Sequence, residues 1–208
     1  MYLLILTLLI IYWIFSFKKH NKCLINIDNY PELIEIEKYK TIILNDLINI
    51  LNNKWSTYDD YHNQRIFDSN NNDVIEKLKS TEKNLNSTDL PEWKLYGLIL
   101  NGMPITDKCQ NTINLLLKNK KIINAGFSCL EPGKVTDVHS DNNINWYRYQ
   151  LPLIIPQGDC KFKLQKEDSF EILDWSKPFI FDDCCLHQVW NNTNKNRYVL
   201  IVDIRRNN

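Results

Sequence analysis

The sequence lacks several features that would indicate common classes of protein. Its 25 basic and 25 acidic residues give a formal net charge of zero, whereas a general nucleic-acid-binding protein needs a basic excess. None of its six cysteines forms a C-x-x-C pair, so a zinc ribbon or a thioredoxin-type motif is not indicated. Adjacent cysteines such as Cys184 and Cys185 rarely form a disulfide with each other. We therefore expect free buried thiols, a reducing compartment and no nucleic-acid partner.

Long apolar runs are also absent, except at the N-terminus. Residues 2–17 are almost wholly apolar and are followed by Lys18 and Lys19. As a helix this run spans roughly 24 Å, which favours a membrane anchor over residues 1–20 rather than a buried core helix. A cleaved signal peptide would need a basic start and small residues at a cleavage site, and neither is present.

The lysines after the apolar run predict that residues 21–208 form a domain on the cytosolic side of the membrane, in a single-pass arrangement. A lumenal location stays open, because Asn86 and Asn191 begin glycosylation sequons. In a chain so rich in asparagine such sequons are also expected by chance.

The first half of the domain is predicted to be mainly helical. Apolar residues recur at three- and four-residue steps from Pro31 to about Asn53, which indicates a helix. A weaker helix is predicted from Asp73 to about Lys83. A third would be capped by Thr106 and run to about Lys118. With a strand-like segment at 93–100, residues 31–118 would support the rest of the domain.

After Lys121 the pattern changes to short strands, separated by breaks such as Pro132-Gly133. The strands are predicted near 123–131, 144–155, 160–165, 169–173, 178–182, 185–190 and 197–205. Many short strands at this spacing favour a sandwich or a jelly roll. The expected fold is therefore mainly β with flanking helices, with a jelly-roll core over about residues 92–205.

Two segments contain candidate metal ligands. The first is His139-Ser140-Asp141, and the second contains His187, 48 positions after His139. Two imidazoles and one carboxylate can bind one face of Fe(II) and leave the opposite face for a cosubstrate and O2. H-x-D alone is a weak signal, because surface His–Asp pairs are common. The chain has only four histidines, however, and both of those in its second half belong to this set.

Two arginines interrupt apolar strands, and a buried charge needs a partner. Arg148 and Arg197 each lie in such a run. One explanation is an internal salt bridge with Asp182, Asp183 or Asp203. The other is a dicarboxylate cosubstrate such as 2-oxoglutarate, because a planar guanidinium binds carboxylate in a bidentate manner.

Five motifs resemble the aspartyl/asparaginyl β-hydroxylase family, and Trp93-Lys94-Leu95-Tyr96 also resembles that family's usual start. The motifs are Phe127–Gly133, His139–Asp141, Arg148–Pro156, Phe181–Asn191 and Arg197–Asp203. The resemblance covers roughly residues 92–205. It implies a double-stranded β-helix and an Fe(II)- and 2-oxoglutarate-dependent dioxygenase.

The resemblance also implies roles for individual residues. His139 and His187 would bind iron, and Asp141 would complete the triad, although it stands where the animal enzymes have a glycine. Arg197 and Ser128 would hold the distal carboxylate of 2-oxoglutarate. Two further residues concern the carboxylate near the metal: Arg148 would contact it, and Gln150 stands where those enzymes have a histidine that assists cosubstrate binding.

The substrate is not fixed by these motifs. The family implies hydroxylation of an Asp or Asn side chain of a protein. The membrane-anchored bacterial lipid A 2-hydroxylases are similar in having H-x-D and an N-terminal anchor, so an acyl chain of a membrane lipid is the alternative. A catalytically silent jelly-roll binding module is the non-enzymatic alternative. Asp182 or Asp183 would orient a histidine ligand or serve only as a turn residue.

Overall fold

A computed structural model describes residues 22–57, 92–141 and 143–207. The anchor predicted over residues 1–20 and the helix predicted from Asp73 to about Lys83 lie outside these ranges. Within them, no helix has the length and hydropathy needed to cross a bilayer.

Eleven strands and three α-helices occur in the described ranges. The strands are β1 (Leu24–Ile25), β2 (Ser56–Thr57), β3 (Trp93–Leu100), β4 (Met103–Pro104), β5 (Ile122–Leu130), β6 (Trp146–Ile154), β7 (Cys160–Lys166), β8 (Ser169–Leu173), β9 (Phe179–Phe181), β10 (His187–Asn191) and β11 (Arg197–Arg205). The helices are α1 (Pro31–Lys38), α2 (Lys40–Ile50) and α3 (Gln110–Leu116), and a short 3-10 helix precedes α1 at Ile27–Asn29.

The strands form two antiparallel sheets. In the described part of the chain the large sheet has the order β1-β9-β6-β11-β5-β3-β2, with β4 paired to β3. The small sheet has the order β10-β7-β8. The fold is therefore mainly β with few helices, as the sequence predicted.

Alternation along β11 shows how the layers are arranged. Leu200, Val202 and Ile204 belong to the apolar core that the helices share with the large sheet. Val199, one residue out of phase, packs in a second core with Phe162 of the small sheet. Because strand side chains alternate between faces, polar residues in phase with Val199 lie between the two sheets.

The strands predicted after Lys121 all occur, with bounds within two residues of those expected. The helix predicted from Pro31 to about Asn53 is instead two helices, which meet at Tyr39. The apolar period continues across Tyr39, with Ile36 and Ile43 both buried. Periodicity therefore could not reveal the break.

The prediction that Thr106 caps a helix was wrong. Helix α3 begins at Gln110, and the residue before it, Cys109, adopts a left-handed conformation with φ 55°. The carboxylate of Asp46, on α2, accepts hydrogen bonds from both the backbone N–H and the hydroxyl of Thr112, each at 2.8 Å. The cap therefore comes from another helix, 66 residues away in sequence, which local sequence rules cannot detect.

The expectation of free thiols was wrong for two of the six cysteines. Cys23 and Cys185 form a disulfide across a sequence separation of 162 residues. Their Cα atoms lie 5.8 Å apart, within the usual range for a disulfide. Cys184 is free, as are the three other cysteines: Cys109, Cys129 and Cys160.

Asn191, the first residue of one sequon, is fully buried. Its side-chain amide donates hydrogen bonds to the carbonyls of Leu130 and Lys195, at 2.9 and 2.8 Å. It is therefore a structural residue and is not accessible for glycosylation. Asn86, in the other sequon, lies outside the described residues.

Candidate metal centre

His139 and His187 are brought together by backbone pairing. The N–H of His139 donates to the carbonyl of His187 at 3.0 Å, and the reciprocal hydrogen bond is 2.8 Å long. An antiparallel bridge of this kind places both side chains on the same face. Their ring centroids are 4.4 Å apart. One pair of backbone hydrogen bonds thus brings together two histidines that are 48 positions apart in sequence.

Asp141 joins the two histidines from the same segment. Its N–H donates to the carbonyl of Asp183 at 2.9 Å, and its Oδ1 lies 3.8 Å from His139 Nε2. Ligand atoms of His139, Asp141 and His187 all lie within 4.8 Å of one another. Two nitrogen donors and one carboxylate oxygen at this spacing suit one divalent transition-metal ion such as Fe(II).

Backbone hydrogen bonds set the tautomer of both histidines. His139 Nδ1 lies 2.8 Å from the carbonyl of Asp137, and His187 Nδ1 lies 2.9 Å from the carbonyl of Cys185. Since a carbonyl can only accept, each Nδ1 carries the hydrogen and each Nε2 presents its lone pair. His139 Nε2 is buried without a hydrogen-bond partner in the described residues. Burial lowers the pKa of His187 to about 4, so its ring is neutral at pH 7, as metal binding requires.

Arg148 lies beside this cluster, where three carboxylates surround it. Nη1 donates to Asp141 Oδ2 at 2.9 Å, and Nε donates to Asp203 Oδ1 at 2.8 Å. Nη1 also lies 2.9 Å from Asp183 Oδ2, as an ion pair. Burial opposes the charge of the guanidinium, but the carboxylates outweigh it and raise the pKa of Arg148. The internal salt bridge considered from the sequence is therefore present at Arg148.

Of the two neighbouring aspartates, only Asp183 lies at the candidate metal centre. Its side chain is fully buried, and its Oδ1 is 3.9 Å from His187 Nε2. Asp182 instead accepts hydrogen bonds from Arg206, at 2.9 and 2.6 Å, and from the N–H of Cys184.

Arg197 is the opposite case to Arg148. It is 2% exposed, yet no carboxylate of the described residues pairs with it. Nη2 donates to Ser128 Oγ at 3.1 Å, and the guanidinium carbon lies 4.9 Å from the ring centroid of Trp175. Nε has no hydrogen-bond partner among the described residues. Burial lowers the pKa of Arg197 to about 10.

Ser128 also has an unused donor. It is fully buried, and its Oγ accepts hydrogen bonds from Trp93 Nε1, at 2.8 Å, and from Arg197. Among the described residues nothing accepts the hydrogen of its own hydroxyl. The hydroxyl of Ser128 and Nε of Arg197 therefore offer two donors and a positive charge that suit an anion.

Strand β11 connects the two regions. Asp203 pairs with Arg148, Ile201 with Gln150, and Val199 with Ser128. Gln150 thus lies between the carboxylate cluster and the anion-binding donors. It is 6% exposed, and its Oε1 has no hydrogen-bond partner in the described residues.

Three contributors to these regions were not predicted. Asn124 donates to Asp203 Oδ2 at 3.1 Å, while Trp93 and Trp175 contact Ser128 and Arg197. An asparagine in phase with Ser128 on one strand was a usable signal for the first. In the sequence the two tryptophans look like ordinary core residues. Only the register of β3 places Trp93 at the anion-binding donors, and only the path of the loop before β9 places Trp175 there.

Comparison with known proteins gives a family match. The profile of the aspartyl/asparaginyl beta-hydroxylase family matches residues 37–207. The ornithine lipid ester-linked acyl 2-hydroxylase of Rhizobium tropici is 33% identical over 129 residues, which cover 60% of this chain and 45% of that protein. The human aspartyl/asparaginyl beta-hydroxylase is 31% identical over 78 residues, 38% of this chain and 10% of that protein. The matches therefore span less than half the length of each relative.

Similar solved structures include an oxidoreductase of the 2OG-Fe(II) oxygenase family from Burkholderia pseudomallei. It has 11% identity and a TM-score of 0.47, and covers 66% of this chain and 81% of its own. A prolyl-4-hydroxylase from Pseudomonas putida has 16% identity and a TM-score of 0.35, over 48% of this chain and 61% of its own. At these scores the likenesses carry no weight for the roles of individual residues.

Proposed function

The chain belongs to the aspartyl/asparaginyl β-hydroxylase family, and from this premise we propose that it is an Fe(II)- and 2-oxoglutarate-dependent hydroxylase. The observation that supports this most is the pairing of two features between the sheets. One is the convergence of His139, Asp141 and His187 with their nitrogen lone pairs turned inward. The other is the buried Arg197, with which no carboxylate in residues 22–57, 92–141 or 143–207 pairs.

His139, Asp141 and His187 would hold the iron. When bound, Fe(II) together with 2-oxoglutarate and O2 supplies the oxidation that converts a C–H bond to C–OH, while the cosubstrate becomes succinate and CO2. The carbonyls of Asp137 and Cys185 fix the tautomer and the orientation of the two imidazoles. Misoriented ligands would weaken metal binding.

Arg197 and Ser128 would capture the distal carboxylate of 2-oxoglutarate. Nε of the guanidinium and the hydroxyl of Ser128 are donors that find no acceptor in the part of the chain that the structure describes. A charged carboxylate at this point would remove the cost of burying an uncompensated guanidinium. Trp175 would hold the plane of Arg197 through its ring. Gln150 remains a candidate contact for the other end of the cosubstrate.

We infer that the substrate is an acyl chain of a membrane lipid. Three observations support a lipid: the apolar run of residues 2–17, Asp141 in the H-x-D motif, and 33% identity over 129 residues to a protein named as an acyl 2-hydroxylase. The second candidate is an Asp or Asn side chain of a protein, which the family description and the match to the human protein favour.

Residues 1–20 would hold the domain at the membrane. The side of the membrane is a separate question, on which two features disagree. Lys18 and Lys19 favour the cytosol, whereas the disulfide between Cys23 and Cys185 favours an oxidising compartment. We propose the oxidising side, because reducing compartments keep most thiols free. Thiol alkylation of cells before lysis, with and without reductant, tests this: a pair that is already alkylated without reductant would contradict it.

The experiment that tests the activity uses the full chain in detergent with Fe(II) and 2-oxoglutarate under air. Succinate formation is measured with a membrane lipid extract and, separately, with a peptide library containing Asp and Asn. We expect succinate and a lipid product that is one oxygen atom heavier. Succinate formation that is as fast in His187→Ala as in the unmodified chain would rule out the proposed activity. Oxygen incorporation into peptide alone would select the second candidate.

A further inference from the structure

The carboxylates around Arg148 come from three different segments. Asp141 follows the first histidine, Asp183 precedes β10, and Asp203 lies on β11. The side chains of Asp183 and Asp203 are 0% and 2% exposed, and that of Arg148 is 11% exposed. In such a desolvated cluster each charged hydrogen bond is strong and strongly directional.

Arg148 divides the two oxygens of Asp141 between two tasks. Oδ2 accepts the hydrogen bond from Nη1 at 2.9 Å, while Oδ1 lies 3.8 Å from His139 Nε2. An isolated carboxylate could rotate and offer either oxygen. The bond to Arg148 fixes this rotation, so Oδ1 stays on the side of the imidazoles.

The guanidinium has little capacity left for another anion. Nε and Nη1 make short contacts with Asp203 and Asp141, and Nη2 makes a longer one, at 3.4 Å, with Asp203 Oδ2. A further carboxylate beside those of Asp141 and Asp203 would add like-charge repulsion. Asn124 donates a hydrogen bond to Asp203 and so holds in place the carboxylate that orients Arg148.

We propose that Arg148 is a positioning residue for the metal ligand Asp141 and does not contact the cosubstrate. This departs from the role that the family resemblance implies for the same position, in enzymes that have a glycine in place of Asp141. Arg197 is then the arginine that contacts 2-oxoglutarate. The inference rests on the proposed iron site and deepens it.

The test separates metal affinity from cosubstrate affinity. Co(II) binding to the full chain is followed by its visible ligand-field bands, and 2-oxoglutarate binding to the Co(II)-loaded protein is followed by calorimetry. In Arg148→Met we expect Co(II) affinity to fall by roughly 10- to 100-fold, the range for groups that orient a metal ligand, with cosubstrate affinity unchanged. Unchanged Co(II) affinity with weakened cosubstrate binding would overturn the inference.

A double-mutant cycle shows whether Arg148 acts through Asp141. In an Asp141→Ala background, Arg148→Met should cause no further loss of Co(II) affinity. A loss as large as in the unmodified chain would contradict the inference. If Arg148→Met does not fold, Asp203→Asn replaces it, because it keeps the shape of the side chain. We also expect a severalfold loss of Co(II) affinity in Asp203→Asn, and an unchanged affinity would contradict the inference. Failure of the unmodified chain to bind Co(II) would instead defeat the proposed iron site.

A second inference comes from a different surface, the outer face of the small sheet. We use this name for the outward side chains of β7, β8, β10 and the segment of residues 135–138 beside β10. Large apolar side chains exposed by 40–53% gather there: Val135, Val138, Phe170, Ile172 and Leu186. Along β8, the exposed Phe170 and Ile172 alternate with the less exposed Glu171 and Leu173.

The charged side chains that β7, β8 and β10 present on the outer face are basic, whereas the segment of residues 135–138 contributes the exposed Asp137. The outward positions of β7 include Lys161 and Lys163, and no outward position of β7, β8 or β10 is acidic. Lys163 Nζ lies 4.4 Å from the ring centroid of Phe170. Lysines whose stems cover apolar groups while their charges reach outward are typical of surfaces that rest on anionic lipid headgroups.

The disulfide fixes Cys23, which follows the apolar run in sequence, at the edge of this face. Cys23 is bonded to Cys185, the residue before Leu186. Residues 18–22, which separate residues 2–17 from Cys23, can span at most about 18 Å. A membrane that holds residues 2–17 would therefore lie within reach of the edge of the outer face.

We propose that the outer face of the small sheet docks on a bilayer containing anionic lipid. The full chain would be reconstituted in vesicles of phosphatidylglycerol and phosphatidylcholine with a benzophenone amino acid in place of Phe170. The matched control carries the same group in place of Ile48, which is 50% exposed on α2. We expect lipid adducts when the group is at position 170 and none when it is at position 48. Vesicles without phosphatidylglycerol should give fewer adducts at position 170. Adducts to a second copy of the chain, or none, would overturn the proposal.

Discussion

Arg197 donates a hydrogen bond to Ser128 at 3.1 Å, and within the described ranges the two share no carboxylate. Both are buried, and each retains a donor without an acceptor. A site with this composition is unfavourable when empty and favourable when an anion enters. Removing the charge of Arg197 should therefore stabilise the empty protein and abolish the stabilisation that an anion gives.

Without cosubstrate, Arg197→Met should stabilise the protein by about 1–4 kcal/mol, because an apolar side chain of similar length replaces an uncompensated buried charge. Thermal unfolding of the metal-loaded chain measures this. The same variant should lose the rise in Tm that 2-oxoglutarate gives the unmodified chain. Ser176→Ala, at an exposed position, is the control. A variant that is both destabilised and still responsive to 2-oxoglutarate would contradict this assignment.

Asp141→Ala should weaken Fe(II) or Co(II) binding, because it removes the one carboxylate ligand and leaves two imidazoles. Asp141→Asn keeps the shape, and we expect it to fall between the alanine variant and the unmodified chain. Metal affinity and turnover are measured together. Unchanged metal affinity and turnover in Asp141→Ala would show that two histidines are enough to bind the metal, and that Asp141 serves only as an ion-pair partner of Arg148.

Cys23→Ser should lower the free energy of unfolding by about 2–5 kcal/mol, because the disulfide closes a loop of 162 residues and so constrains the unfolded chain. Cys185→Ser should have the same effect, and the double variant should lose no more than either alone. Cys184→Ser is the control, since Cys184 is free. Chemical denaturation under non-reducing conditions measures all four. Equal stability of Cys23→Ser and the unmodified chain would show that the bridge does not form.

Asp46→Asn should destabilise the contact between α2 and α3 by about 1–2 kcal/mol. The carboxylate of Asp46 caps α3 through the N–H and hydroxyl of Thr112, and a neutral amide accepts fewer and weaker hydrogen bonds there. Thr112→Val should show a similar loss, and the two should be less than additive. Full additivity in denaturant melts would mean that the two side chains do not act on one another.

The sequence predicted this structure well where the signal was local. Alternation located β6 and β11 with their arginines, and H-x-D marked one half of the candidate metal centre. It could not choose between a salt bridge and a ligand for either arginine, because that depends on which carboxylates arrive from elsewhere. Asp203 reaches Arg148 only through the register of β11 on β6, and no carboxylate among the described residues reaches Arg197 in this way.

Features that depend on distant pairing were missed for the same reason. Nothing near Cys185 indicates that Cys23 will reach it, and nothing near Gln110 indicates that Asp46 will cap its helix. The break at Tyr39 was hidden because apolar spacing continues through it. In each case the tertiary contact, and not the local preference, decides the outcome.

The most direct test of the central claim is an anaerobic titration of the full chain in detergent with Fe(II) and then with 2-oxoglutarate. We expect a visible metal-to-ligand charge-transfer band that needs both components and is lost in His187→Ala. In Arg197→Met the band should appear only at much higher 2-oxoglutarate concentration. A folded chain that gives no band with both components present would contradict the account and favour a binding module without iron chemistry.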